Sequence, residues 1–229
     1  MKQQTFRTVA ALLALAAAGP VTAQDSQCYG VINSGRIERA VQVPLKGPNF
    51  EVISWSHDKG RTFVHSEVRK IMVEAYAAAG AVMPDAKFLI GETGMENGGP
   101  ITHHFTHQRG TSVDLFVPVK DLEGKRVQFP NFLENGFGYR VRLDADGKTN
   151  DGKHVLDIEA LAELIYQLNE AAKKNGHGID RVIVVREFQS KLRDTRHGAY
   201  LRKLNFWDDP GARHDNHIHV DFDIPCKMF

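Results

Sequence analysis

The sequence predicts an α+β domain: a small, mostly antiparallel central sheet flanked by helices and long loops. Three observations lead there. Two stretches, His65 to Ala79 and Asp157 to Lys174, carry apolar residues at the three- and four-residue spacing of a helix. Several stretches of five to seven residues alternate, or run apolar, as strands do. The two kinds of element follow one another without the strand-helix-strand repeat that a parallel sheet requires. At 229 residues the chain is long enough for one well-buried core.

Residues 24–47 read as an irregular lead-in, because Gly30, Gly35, Pro44 and Gly47 punctuate them. Asn49 to Trp55 alternates Phe50 and Val52 against Glu51 and Ile53, a strand pattern. The helix from His65 follows, with Val68, Ile71, Met72, Ala75 and Tyr76 on one face and Gly80 as its stop. Lys87 to Gly91 is a short buried strand. Glu92 to Pro100 is a glycine-rich loop. Thr111 to Val117 places Val113, Leu115 and Val117 on one face and Ser112, Asp114 and Phe116 on the other. Residues 118–135 read as loop and Tyr139 to Leu143 as a short strand. Asp144 to Gly152 begins like a calcium loop but lacks the closing glutamate. The helix from Asp157 has Leu161, Leu164, Ile165 and Leu168 as its stripe, acids in its first turn and lysines in its last. Arg181 to Val185 is a buried strand, Glu187 to Leu204 is helical in pieces, and Ile218, Val220 and Phe222 alternate with His217, His219 and Asp221 in a last strand.

Lys plus Arg number 29 and Asp plus Glu 28, so charge balance gives no reason to propose nucleic acid or a membrane surface as partner. The first 23 residues read as a signal peptide: Lys2 and Arg7, an apolar run from Val9 to Ala18, then Val21-Thr22-Ala23 before cleavage. That run is too short to span a bilayer, so no transmembrane segment is expected after cleavage. Residues 24–229 are expected to form the single mature domain, exported to the periplasm. Cys28 and Cys226 are the two cysteines, at opposite ends of that domain, and a disulfide between them fits an oxidising compartment.

Six of the eleven histidines fall in two windows, T-H-H-F-T-H-Q-R-G-T-S-V-D from Thr102 and H-D-N-H-I-H-V-D-F from His214. Imidazole nitrogen and carboxylate oxygen are ordinary zinc ligands, and three protein ligands with one open position mark a catalytic site. His107 and Asp114, joined through a turn at Gly110, and His219 on the last strand are assigned as those ligands. His104, His214 and His217 then stand near the metal without ligand duty, suited to proton transfer and to stabilising a developing oxyanion. His57, His65, His154, His177 and His197 read as surface or satisfied core residues, and His103 as an exposed bystander.

The run N-G-G-P-I-T-H-H-F-T-H-Q-R-G-T-S-V-D-L, followed far downstream by H-D-N-H-I-H-V, resembles the penicillin-insensitive murein endopeptidases, zinc metallopeptidases of the LAS group. The resemblance implies one zinc ion on His107, Asp114 and His219. It gives His217 and His214 roles in proton transfer and transition-state stabilisation, with His104 beside the site. The implied substrate is the peptide cross-bridge of peptidoglycan, cut between D-alanine and meso-diaminopimelate in D,D or L,D linkages. Thr106, Thr111 and Ser112 depart from the family's Ser, Leu and Asp. Two other readings use the same residues: a non-catalytic zinc-containing wall-binding module, and a D-Ala-D-Ala carboxypeptidase. The latter places a glutamate shortly before the last ligand, where this chain has Asp215 and Asn216.

Overall fold

The structure is a computed structural model that describes residues 25–229; the signal-peptide reading lies outside them. Strands β1 (Gln27–Val31) and β2 (Ser34–Glu38) form an antiparallel hairpin, where the glycines had indicated irregular chain. The C-terminal segment lies beside this hairpin: Gly30 N–H donates to the Lys227 carbonyl and Lys227 N–H to that of Cys28. The Cys28–Cys226 disulfide fastens the two together. β3 (Val41–Gln42) pairs with β5 (Phe63–Val64). Between them lie β4 (Phe50–Val52) and a short helix, α1 (Ser54–Asp58), so the strand expected to reach Trp55 stops early.

Helix α2 (Ser66–Val82) begins with His65, whose Nδ1 accepts from Glu67 N–H at 3.2 Å. Gly80 does not end it. A Cβ there would stand 2.8 Å from Asn49 Nδ2, so the glycine admits the side chain that donates to the Tyr76 carbonyl at 2.7 Å. β6 (Phe88–Ile90) and β7 (Ser112–Phe116) follow. Residues 118–135, read as loop, contain β8 (Val119–Asp121) and β9 (Arg126–Val127), which join β10 (His154–Leu156) in a three-stranded sheet. Asp157 ties this sheet to helix α3 (Ile158–Lys174). One oxygen caps the helix by accepting from Ala160 N–H at 3.2 Å, and the other accepts from Arg126 Nε at 2.7 Å. β11 (Ile179–Ile183), α4 (Arg186–Arg193), α5 (Gly198–Leu201), β12 (Phe206–Trp207) and β13 (His217–Phe222) complete the chain.

Tyr139 to Leu143 is not a strand. Asn216 Nδ2 donates to the carbonyls of Gly138, Tyr139 and Val141, so a side chain satisfies acceptors that a ladder would otherwise take. The main sheet has the order β12-β11-β13-β7-β6-β4, with antiparallel pairs through its centre and parallel pairs at both edges. Its central strands are buried on both faces. Val113, Leu115, Ile218 and Val220 belong to the same hydrophobic cluster as the buried stripes of α2 and α3, which pack on one another. The opposite face of β7 and β13 carries the polar residues.

The disulfide closes a sequence separation of 198 residues. Restricting so long a loop in the unfolded chain stabilises by about 2–4 kcal/mol in practice. The Cys28→Ser, Cys226→Ser protein is therefore expected to lose about that much unfolding free energy and to unfold at lower urea. Coincident denaturation curves for the variant and the oxidised parent would contradict it.

Candidate metal centre

The pairing of β7 with β13 builds the site. Their register places Asp114 opposite His219, Ser112 opposite Asp221 and Phe116 opposite His217. Directly opposed residues project to the same face, so one carboxylate and two imidazoles converge where the strands are most buried. His107 enters from the preceding loop. That loop turns through positive φ at Gly98 and Gly110, and at His107 itself (φ 67°). A Cβ at Gly110 would lie 2.9 Å from His65 N, so the loop can approach the start of α2 only with glycine at that position.

Four imidazoles surround Asp114, and each directs one nitrogen outward to a fixed partner. His107 Nδ1 donates to the Thr93 carbonyl at 3.0 Å. His219 Nε2 donates to Asp221 Oδ1 at 2.7 Å. His104 Nε2 donates to Glu92 Oε2 at 2.8 Å. His217 Nδ1 bonds Asn216 Oδ1 at 2.5 Å; because the Asn216 amide nitrogen is committed to backbone carbonyls, its oxygen must accept and His217 Nδ1 must donate. The inner nitrogens then face Asp114: His219 Nδ1 at 3.0 Å, His107 Nε2 at 3.1 Å, His104 Nδ1 at 3.5 Å and His217 Nε2 at 3.7 Å. His214 sits behind His217, ring centroids 4.9 Å apart, with its Nδ1 donating to the Ala212 carbonyl.

This arrangement calls for positive charge at its centre. His107 Nε2 and Asp114 Oδ2 are buried and have no hydrogen-bond partner. Orphaned acceptors at that depth are costly unless something electropositive lies between them. Burial opposes the imidazolium of His219, yet Asp221 and Asp114 together raise it to about 10. Burial likewise opposes ionisation of Asp114, but the histidines hold it well below the usual carboxylate range. His217, where burial outweighs Asp114, is pushed down to about 3. The ligand atoms of His104, His107 and Asp114 lie within 4.8 Å of one another, and this group can hold a metal ion. The donor set, imidazole and carboxylate with outer hydrogen bonds fixing each ring, fits a divalent metal.

All six residues singled out in the sequence meet here. His104, read from the sequence as standing beside the metal, is itself a member of the group that can hold one, and His103 is exposed at the mouth of the cleft. Of the groups that support these rings, Ser112 and Asp221 lie inside the histidine windows but were given no such role there, and Glu92 lies outside them. Glu92, read as part of a glycine-rich loop, is buried and holds both His104 and Arg61. Asp221, which alternation had put on the same strand face as His219, holds its ring. Ser112 Oγ donates to Asp221 at 2.7 Å, and Arg181 pairs with its other oxygen. A carboxylate at position 112 would face Asp221 as a like charge. A cleft of about 710 Å³ opens over the inner histidines, with Trp55 stacked on Phe137 in its wall.

A family model described as penicillin-insensitive murein endopeptidase matches residues 28–228. This chain belongs to that family. No curated protein matches the chain. As a murein endopeptidase it is a peptidase of peptidoglycan. Its centre departs from that of a carboxypeptidase with a glutamate before the last histidine: Asp215 pairs with Arg142 and Arg213, and the Asn216 amide holds backbone carbonyls. Among the described residues no helix is long and apolar enough to cross a membrane.

Binding of a metal to the folded protein alone must stabilise it, by about 4 kcal/mol at a thousandfold excess over Kd. A divalent transition metal added to chelator-treated protein is expected to raise Tm by several degrees, and to leave Asp114→Asn unmoved. Equal shifts in both proteins would place the ion elsewhere.

Proposed function

We propose that this murein endopeptidase is a zinc enzyme with one ion per chain, held by His107, Asp114 and His219. The observation that carries the reading is the pair of buried, unpartnered acceptors, His107 Nε2 and Asp114 Oδ2, beside His219 Nδ1. These three residues are almost wholly buried, whereas His104 stands in the cleft wall with its far nitrogen on Glu92. The proposed substrate is the cross-bridge peptide between D-alanine and meso-diaminopimelate, in D,D or L,D linkage. The enzyme is proposed to act in the periplasm as one domain of residues 24–229, after loss of a signal peptide at 1–23.

Zinc, when bound, supplies Lewis acidity toward a scissile carbonyl and acidifies water. The chain's own groups do the rest. His217 carries its proton on Nδ1, committed to Asn216, so its Nε2 is the free base facing the site. It takes a proton from the attacking water as the carbon–oxygen bond forms. It returns that proton to the nitrogen as the amide carbon–nitrogen bond breaks, releasing a carboxylate and an amine. His214, whose Nδ1 is likewise committed, backs His217 with its ring tilted at a centroid distance of 4.9 Å and can share this duty. His104 lies on the other side of Asp114 with its Nε2 proton on Glu92; burial opposes its imidazolium, but Glu92 and Asp114 raise its pKa, and in that form its Nδ1 donates toward the oxyanion. The cleft that these residues line is open enough for a branched peptide.

His107→Ala and His219→Ala are expected to lose both bound zinc, measured by elemental analysis, and cleavage of cross-linked muropeptides, measured by mass spectrometry. His217→Ala should keep the metal and lose roughly a hundredfold or more in kcat. Normal turnover by His107→Ala would remove the ligand assignment.

A further inference from the structure

The cleft carries one set of charges that the hydrolytic chemistry does not use. Arg142 and Arg213 line it on the side of His214 and His217. Both pair with the same buried carboxylate: Arg142 Nη1 lies 3.3 Å from Asp215 Oδ1, and Arg213 Nε lies 2.9 Å from Asp215 Oδ2. Asp215 is 1% exposed, while the two arginine side chains are 56% and 53% exposed. Two guanidinium groups on one carboxylate leave a full positive charge in surplus at the cleft wall. The surplus is not neutralised from across the cleft. Glu92, the one acidic residue in the lining among the described residues, is already held by Arg61 and His104.

The hydrogen bonding points the same way. Arg142 directs a single side-chain bond to Asp215, and Arg213 adds one to the Leu143 carbonyl. Most N–H donors of both forks therefore face solvent in the cleft. Asp215 acts as a buried post that holds two guanidinium planes at its rim, and Asn150 fixes the Arg142 backbone from behind by accepting its N–H at 3.1 Å. Paired, oriented guanidinium groups with unsatisfied donors form a seat for a carboxylate.

We propose that Arg142 and Arg213 bind a free carboxylate of the peptide substrate and so select which cross-bridges enter the site. The inference rests on the endopeptidase reading above and adds the chemical class that the cleft recognises. In a cross-link whose leaving amine belongs to meso-diaminopimelate, the carbon bearing that amine also carries a carboxylate. Arg213 directly precedes His214 in the chain, so the seat borders the reacting bond. Amidation of that carboxylate, which removes the charge and leaves the shape, is the modification this seat would reject.

The test compares two cross-linked muropeptides that differ only in whether the diaminopimelate carboxylate is free or amidated. The parent protein is expected to favour the free acid in kcat/KM by roughly tenfold, the scale of a charge-assisted contact at a half-exposed site. Arg142→Gln leaves Arg213 to pair with Asp215 and so avoids stranding a buried charge. It should collapse the preference to between one- and twofold, chiefly through KM for the free acid, and Arg142→Lys should restore part of it. A parent that cleaves both substrates without preference overturns the carboxylate seat and leaves the endopeptidase reading intact. So does an Arg142→Gln protein with lowered Tm and full preference, which would make the arginine a structural partner of Asp215 alone. Failure of the parent to cleave either substrate would overturn both readings together.

Discussion

Asp114 is a carboxylate with almost no access to water, and imidazoles take water's place around it. A charge so placed is tolerated only when its surroundings supply compensating dipoles or cations. Much of the local structure can be understood as meeting that requirement. β7 and β13 pair in the register that brings His219 against Asp114. The loop before β7 adopts a positive φ at His107 to bring a second ring in. Each ring is then held from behind, by Thr93, Asp221, Glu92 or Asn216, so that its inner nitrogen has one direction. The rings are thus oriented by the protein itself, with their inner nitrogens set to receive a cation.

The scaffold beneath it is stiff for separable reasons. The buried stripes of α2 and α3 belong to one hydrophobic cluster with the apolar face of the same two strands, so displacing either strand would disturb the core. Asp157 joins the small sheet to α3 through a helix cap and an ion pair. The disulfide binds the C-terminal segment to the β1–β2 hairpin. The polar ring around the site is also continuous with the cleft. Asn216 both fixes His217 and holds the segment carrying Tyr139 and Val141, so that imidazole and the cleft wall share one support. Asp215, next to it in the chain, does the same for the arginines.

The long helices were legible because their apolar stripes and the Asp157 cap are local signals. The gathering of residues around Asp114 was legible because strand periodicity puts His217 and His219 on one face and Asp114 on the polar side of its own strand. Elements whose pattern is short or nonlocal were not. The β1–β2 hairpin is joined to the C-terminal segment, β8 pairs with β10 about thirty residues on, and β9 is a two-residue strand whose pairing to β8 is too short to show as alternation. Tyr139 to Leu143 alternates like a strand, but an amide from β13's approach takes its carbonyls instead. Gly80 reads as a helix stop by propensity, yet close packing against Asn49 decides its place within the helix.

The sequence by itself determined the α+β class, the residues able to bind a metal and the family motif, because these depend on residue type and on spacing along a strand or helix. Tertiary structure alone decided which nitrogen of each histidine faces inward, since that depends on hydrogen-bond partners remote in the chain. It also decided that Glu92, Asp221 and Ser112 belong to the centre, and that Arg142 and Arg213 share one buried carboxylate. A ring's orientation and a charge's surplus are properties of what surrounds a residue, and here those surroundings are assembled by strand register and loop closure.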